Sequence, residues 1–193
     1  NKRSINFKLI YMDISKPYLV IEVNDSKFNF LVIKYNENLD FTVIHSNSIK
    51  SEGILNGKVK NIKTASNLIR NNLANIEEIV GFTFKEATIV NDQNNYTCIN
   101  VSGFKNLAGS QITKDDISFI LNDLRKIISD SQPNKSLIHL FNSNFILDEK
   151  IVRSLPIGLH GEFYNQHLTF FLMRNSEIKN IKIIFFESQL EIE

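Results

Sequence analysis

Apolar and polar positions along the chain divide it into strand-like runs, two helical runs and the polar turns between them. Tyr18–Val23 is apolar and β-branched, and Phe28–Tyr35 follows after a break at Asn24-Asp25-Ser26. A second break at Asn36-Glu37-Asn38 leads into Asp40–His45. Short Asn- and Asp-bearing breaks between β-formers are hairpin chemistry, because both residues tolerate positive φ. The first third therefore reads as a β-meander, with Ile5–Tyr11 as a further candidate strand set off by Pro17. Ser51–Lys60 holds two glycines and no sustained period, and is expected to be a loop crossing the sheet edge. Ala65, Ile69, Leu73, Ile76 and Val80 then recur at steps of three and four, which predicts a helix with Gly81 as its stop. Lys85–Asn91 resembles a buried strand, so strand–helix–strand returns the chain to the sheet.

The pattern restarts near Asn91. Tyr96–Val101 is strand-like and contains Cys98, expected to be a buried and inert thiol. Ser102–Ser110, with two glycines, is expected to be a loop. Thr113-Lys114-Asp115-Asp116 fits a capping box, with acids in the positively polarised first turn. Ile117, Ile120, Leu121, Leu124, Ile127 and Ile128 form one apolar face of the helix it opens, Arg125 and Lys126 suit its last turn, and Pro133 lies beyond. Ser136–Phe141, Phe145–Asp148, Gln166–Met173 and Ile181–Phe186 are all strand-like.

Composition adds limits. Formal charge is +1, and the densest basic group (Lys50, Lys58, Lys60, Lys63) is interrupted by Glu52 and lacks interleaved aromatics. A solvated face explains it, and no nucleic-acid partner is expected. One cysteine excludes an internal disulfide. The longest apolar stretches, Leu168–Met173 and Ile183–Phe186, are far shorter than the roughly 20 residues a bilayer takes. The first residues carry no apolar signal core and no initiating Met, so a segment of something longer is expected.

Candidate chemistry is sparse. A nucleophilic site needs a nucleophile, a base and a group that orients the base. His139 and His167 lie inside strand patterns, where a packed, hydrogen-bonded imidazole is the ordinary outcome, and no G-x-S-x-G elbow accompanies them or His45. His160 and His167 lack metal-ligand spacing, so no metal site is expected. Glu77-Glu78 suits an exposed helix face, and Asp115-Asp116 a helix start. No Walker loop and no G-x-G-x-x-G is present. The hairpin Glu22–Lys27 is the exception: in nucleotide-binding proteins of the actin type it reads acid, apolar, Gly, then Thr or Ser. Here Asn24 stands at the glycine and Asp25 at the threonine, followed by Ser26. A carboxylate there repels phosphate, so this is a degenerate phosphate-hairpin position and no cofactor is expected.

Several segments taken in order resemble FtsA, the actin-like bacterial division protein family. They are Ile21–Lys27 (IEVNDSK), Ser51–Ile62 (SEGILNGKVKNI) with the helix after it, Gln111–Ile117 (QITKDDI), Leu137–Phe141 (LIHLF), Phe145–Asp148 (FILD) and Leu155–Gly161 (LPIGLHG). The resemblance covers nearly all of residues 18–186 and rests on the ordered set rather than on one motif. It implies an α/β chain: a partial actin-like (ribonuclease H-like) subdomain plus an inserted strand–helix–strand–strand α+β domain. The implied boundaries are 1–91 for the first part of the actin-like subdomain, 92–180 for the insertion and 181–193 for a return strand.

The function so implied is a non-enzymatic division scaffold or adaptor. It works by self-association and by contact with FtsN-type proteins, and with FtsZ in the full-length protein, on the cytoplasmic side of the cell membrane. The second phosphate loop, the C-terminal amphipathic helix and the FtsZ-holding lobe of the family have no counterpart in these 193 residues, so ATP and the membrane are expected only for a full-length member. Candidate contact residues are Ser136, Leu137, His139 and Phe141, where a strand edge offers β-augmentation, and Pro156 and Gly158 in the turn Leu155–Gly161. Two rival readings are a pilus-assembly adaptor of the PilM type and an ATPase or phosphotransferase of the actin and sugar-kinase superfamily.

Overall fold

The structure is a computed structural model in which residues 13–91 and 95–192 are described. The candidate strand Ile5–Tyr11 lies outside the described residues. The chain divides into two compact units, Asn1–Gln93 with Asn180–Glu193 (unit 1) and Asn94–Lys179 (unit 2).

Unit 1 is an α/β layer. Strands β1 (Tyr18–Val23), β2 (Lys27–Tyr35) and β3 (Phe41–Lys50) form an antiparallel meander. A short ribbon of β4 (Ile54–Leu55) and β5 (Lys58–Val59) follows, then helix α1 (Ile62–Val80) and strand β6 (Glu86–Asn91), parallel to β1. The sheet order is β11-β6-β1-β2-β3, where β11 is Glu191–Ile192. Period-two alternation puts Leu19, Ile21 and Val23 on one face opposite Val32, Phe30 and Phe28. The buried stripe of α1 (Ala65, Ile69, Leu73, Ile76) joins that same core. Asn61 caps α1 by accepting from the Thr64 amide at 3.0 Å, and Gly81 ends it in the left-handed region at φ 68°.

Four expectations are corrected here. Ser51–Lys60 is not a plain loop, because Asn56 (φ 51°) and Gly57 (φ 69°) make the two-residue turn with positive φ at both positions that closes the β4–β5 ribbon. Lys85–Asn91 is a strand covered on one face only, with Ala87 buried but Glu86, Thr88 and Val90 exposed. Glu77 does more than solvate α1, since its Oε1 accepts from the Phe84 amide at 2.7 Å. Ile181–Phe186 is not a strand: it belongs to helix α3 (Asn175–Glu187). Ile181, Ile184 and Phe185 sit at helical spacing and pack into the unit 1 core, while Lys182 and Ile183 face water. What returns to the sheet is the two-residue β11 beyond it.

Unit 2 is strand–helix–strand–strand with one added short strand. β7 (Thr97–Asn106), α2 (Lys114–Ser131), β8 (Lys135–Leu147), β9 (Lys150–Val152) and β10 (Phe163–Arg174) give an antiparallel sheet ordered β7-β10-β8-β9. The capping box forms as expected: Asp116 Oδ2 accepts from the Thr113 amide at 2.9 Å, and Thr113 Oγ1 accepts from the Asp116 amide at 3.3 Å. The Thr113 side chain and amide, with Lys105 beyond them, hold the Asp116 carboxyl below the usual carboxylate range. Ile117, Ile120, Leu124 and Ile128 pack on Tyr164, Leu168, Phe170 and Leu172 of the central β10. Arg125 and Lys126 lie before the last turn, which carries no basic residue. Ser102–Asn106 extends β7, so the loop begins only at Leu107. Ser136–Phe141 and Phe145–Leu147 are parts of one strand, bulged at Ile138 and Ser143, the residues skipped in its register with β10.

Candidate functional site

In the hairpin between β1 and β2, Asn24 Oδ1 accepts from the Ser26 amide at 3.0 Å, the Lys27 amide at 2.8 Å and Ser26 Oγ at 2.9 Å. The turn's own side chain thus takes up two amides and a hydroxyl of the hairpin. Asp25 Oδ1 accepts from the Gly57 amide at 2.9 Å, and the Ser26 carbonyl accepts from the Ser51 amide at 3.0 Å. The hairpin is thus a strut for the β4–β5 ribbon.

Unit 2 supplies a different kind of surface. One face of its sheet is covered by α2. The other carries Cys98, Asn100, Ser102 and Phe104 from β7, and Phe163, Asn165, His167, Thr169 and Phe171 from β10. Neither set includes Asp, Glu, Lys or Arg. Cys98 is exposed rather than buried, because its position in the alternation falls on this second face. At one end Phe171 meets Tyr96 with ring centroids 5.5 Å apart, while Phe141 lies 5.0 Å from His139 and 6.3 Å from Phe171. At the other end Phe104 stacks on Phe163 at 5.7 Å. The middle is polar: Thr169 Oγ1 donates to Asn100 Oδ1 at 2.7 Å, beside a shallow pocket of about 330 Å³ lined by Ser102, Ser143 and His167 as well.

The candidate contact residues divide accordingly. Ser136, His139 and Phe141 are exposed on β8 and Leu137 is half-buried toward α2. The edge they were expected to offer is broken by the bulges at Ile138 and Ser143, and bulges twist an edge away from a straight partner strand. Their side chains, not their backbone, are what this part of β8 presents. Pro156 and Gly158 are in a corner with its own bonds: the Gly158 amide donates to the Ile112 carbonyl at 2.9 Å, and Gln111 Nε2 donates to the Gly158 carbonyl at 2.6 Å. His160 joins that corner through Nδ1 and the Gly109 carbonyl, 3.0 Å apart. His139 is exposed and in ring contact, not packed inside, and His167 is half-buried by the pocket. His45 is half-buried in β3. Among the described residues no three His, Cys, Asp or Glu side chains gather as a metal group. Lys50, Lys58, Lys60 and Lys63 are all exposed. Tyr96, Phe104, Phe163 and Phe171 were missed as surface residues. Reading β7 and β10 at alternate positions shows their uncharged outer set, though not which face α2 takes.

Residues 94–165 match the family model described as the SHS2 domain inserted in FtsA. No curated protein matches the chain. Among solved structures, one titled PilM–PilN type IV pilus biogenesis complex aligns at a TM-score of 0.56 and 11% identity, over 91% of this chain and 45% of that one. The ethanolamine utilization protein EutJ from Carboxydothermus hydrogenoformans aligns at 0.34 and 9% identity, over 75% and 53%. A Bacteroides thetaiotaomicron protein with an actin-like ATPase fold aligns at 0.33 and 11% identity, over 94% and 54%. The chain spans about half the length of these structures. Its class is therefore an actin-like α/β protein carrying an inserted strand–helix–strand–strand domain. Within that fold, residues 94–165 are similar to the SHS2 domain inserted in FtsA.

Proposed function

We propose that this chain is part of a bacterial cell-division scaffold that works through protein surfaces rather than through catalysis. The observation that carries the reading is the FtsA-type insertion at residues 94–165. It is supported by the hairpin at Asn24-Asp25-Ser26, whose donors are satisfied within the protein. In this reading the chain self-associates and meets division partners, an FtsN-type protein among them, with FtsZ and the membrane engaged only by the full-length protein on the cytoplasmic side. Partner contact falls to the aromatic side chains around His139 and Phe141, since uncharged, exposed aromatics are typical anchors of protein interfaces. Among the described residues no helix is long and apolar enough to cross a membrane. A pilus-assembly adaptor of the PilM type is the second reading, favoured by the likeness in fold to the PilM–PilN structure.

The test is capture of partners on immobilised chain, identified by mass spectrometry, with Phe141→Glu and His139→Glu as comparison. Division proteins lost in the two variants would support the scaffold reading. Pilus components would favour the second, and neither, from folded protein, would overturn both. For the hairpin, Asn24→Gly with Asp25→Thr in a full-length version is expected to raise ATP affinity at least tenfold by calorimetry. Unchanged affinity would show that the turn is not what withholds nucleotide.

A further inference from the structure

Three long strand edges are left unpaired among the described residues: β3, β7 and the stretch of β8 not covered by β9. Natural sheets blunt such edges with bulges, prolines and charges. β3 is bulged at Ile44, the residue skipped in its register with β2, and β8 at Ile138 and Ser143. β7 has neither bulge nor proline. Its ten residues pair with β10 in one unbroken register and include no proline. Its only charge, Lys105, faces α2, where its Nζ is 3.0 Å from Asp116 Oδ1 and 5.1 Å from the centre of the Phe119 ring.

We propose that the free edge of β7 pairs antiparallel with β7 of a second copy of this chain, about a two-fold axis at Val101. This deepens, and rests on, the self-association in the reading above. Directly opposed residues of an antiparallel pair share a face, so the register must join positions of like parity. With Val101 opposite itself, Asn100 faces Ser102 twice, and each pair can bond side chain to side chain. Ile99 faces Gly103, where one strand offers a large side chain and the other none. Cys98 faces Phe104, and Thr97 faces Lys105, so no two charged residues of β7 meet. Moving the axis to Ser102 sets Asn100 against Phe104 and Ile99 against Lys105. Moving it to Asn100 shortens the ladder within β7. The outer faces then join into one uncharged surface across both copies. A single strand pair buries less than the roughly 1,200 Å² of ordinary stable complexes, so the contact is weak and reversible.

The lone cysteine supplies the probe. In this register Cys98 and its copy are six positions apart along the strands, about 20 Å at the rise of an extended chain. We expect sedimentation equilibrium of the chain to show a monomer–dimer equilibrium that Ser102→Lys weakens at least tenfold and Ser102→Ala leaves alone. Ser102 is exposed, so neither change touches the core. Dipolar spectroscopy with a spin label on Cys98 is expected to give a separation near 20 Å. Association that survives Ser102→Lys, or a clearly different separation, would overturn this surface and leave self-association standing. A monomer at every concentration would overturn both, and leave the edge to an extended segment of another protein.

Discussion

Tyr164→Ala is expected to remove about 4 kcal/mol from the stability of unit 2, the range for emptying a buried aromatic site. Tyr164 is fully buried on the central strand, packed with Leu107, Ile112 and the apolar face of α2. Its hydroxyl donates to Gln166 Oε1 at 3.2 Å, and Gln166, also fully buried, donates from Nε2 to Asn142 Oδ1. Truncation both opens a cavity and strips Gln166 of one partner. Tyr164→Phe keeps the volume and loses only the donor, so its cost is expected to be about 1–3 kcal/mol. The two variants separate packing from polarity in urea unfolding followed by circular dichroism.

The same tyrosine sets an alkaline limit. Burial pushes its phenol up to about 12, against about 10 for an unfolded chain. The fold favours the neutral form, so this contribution is complete below pH 10 and is lost as pH rises through 12. Unit 2 is expected to weaken across that window, and Tyr164→Phe to remove this step. An unchanged alkaline profile in the Phe variant would assign the loss to other groups.

The elements read best from the sequence were those with a local device at their ends. The α1 pattern from Ala65 to Val80 with Gly81 beyond it, and the Thr113–Asp116 box of α2, describe hydrogen bonds within one turn of chain, and the structure contains them. Ile181–Phe186 failed because a short apolar run satisfies a buried strand and a helix equally. Only the sheet that could have received it decides, and there β11 occupies the place with two residues. The turn of the hairpin was legible in its residue types, Asn24-Asp25-Ser26, but the partner of Asp25 was not. Gly57 lies 32 positions away, and nothing local marks it as the amide to be held.

The surface of unit 2 was harder to read for a physical reason. Alternation tells which residues share a face, but not which face the helix covers, so Cys98 was assigned to the wrong side. Bulges act in the same way: Ile138 and Ser143 look like ordinary strand residues, and only pairing with β10 shows them to be extra. The distinction matters, because it moves the candidate edge from β8 to β7 and leaves β8 its aromatic side chains.

Gly103→Val is the second large effect, and it separates the two faces of β7. Gly103 is buried beneath α2, and a Cβ placed there would run into Ile120 Cγ2 and come within 3.0 Å of Leu124 Cδ1. Ile120 Cγ2 is attached to a branched Cβ on a helix, so it cannot swing aside as the tip of a flexible chain would. The helix must rise, and the contacts of Ile117, Leu124 and Ile128 go with it. The expected cost is about 3 kcal/mol, at the upper end for overpacking. Gly158→Ala is the control: its φ of +88° strains an alanine, but its nearest neighbour, Gln111 Nε2, is 3.9 Å away, so a loss of about 1–2 kcal/mol is expected. Amide exchange along α2 reads the difference, with protection lost in Gly103→Val and kept in Gly158→Ala. Ser102→Lys, one residue from Gly103 and on the opposite face, is expected to leave that protection intact while it weakens the dimer. If Gly103→Val retained α2 protection, the helix would not rest on β7 as closely as the structure has it. The pairing of Ile99 with Gly103 across the two-fold axis would then need the same re-examination, since it depends on the same missing side chain.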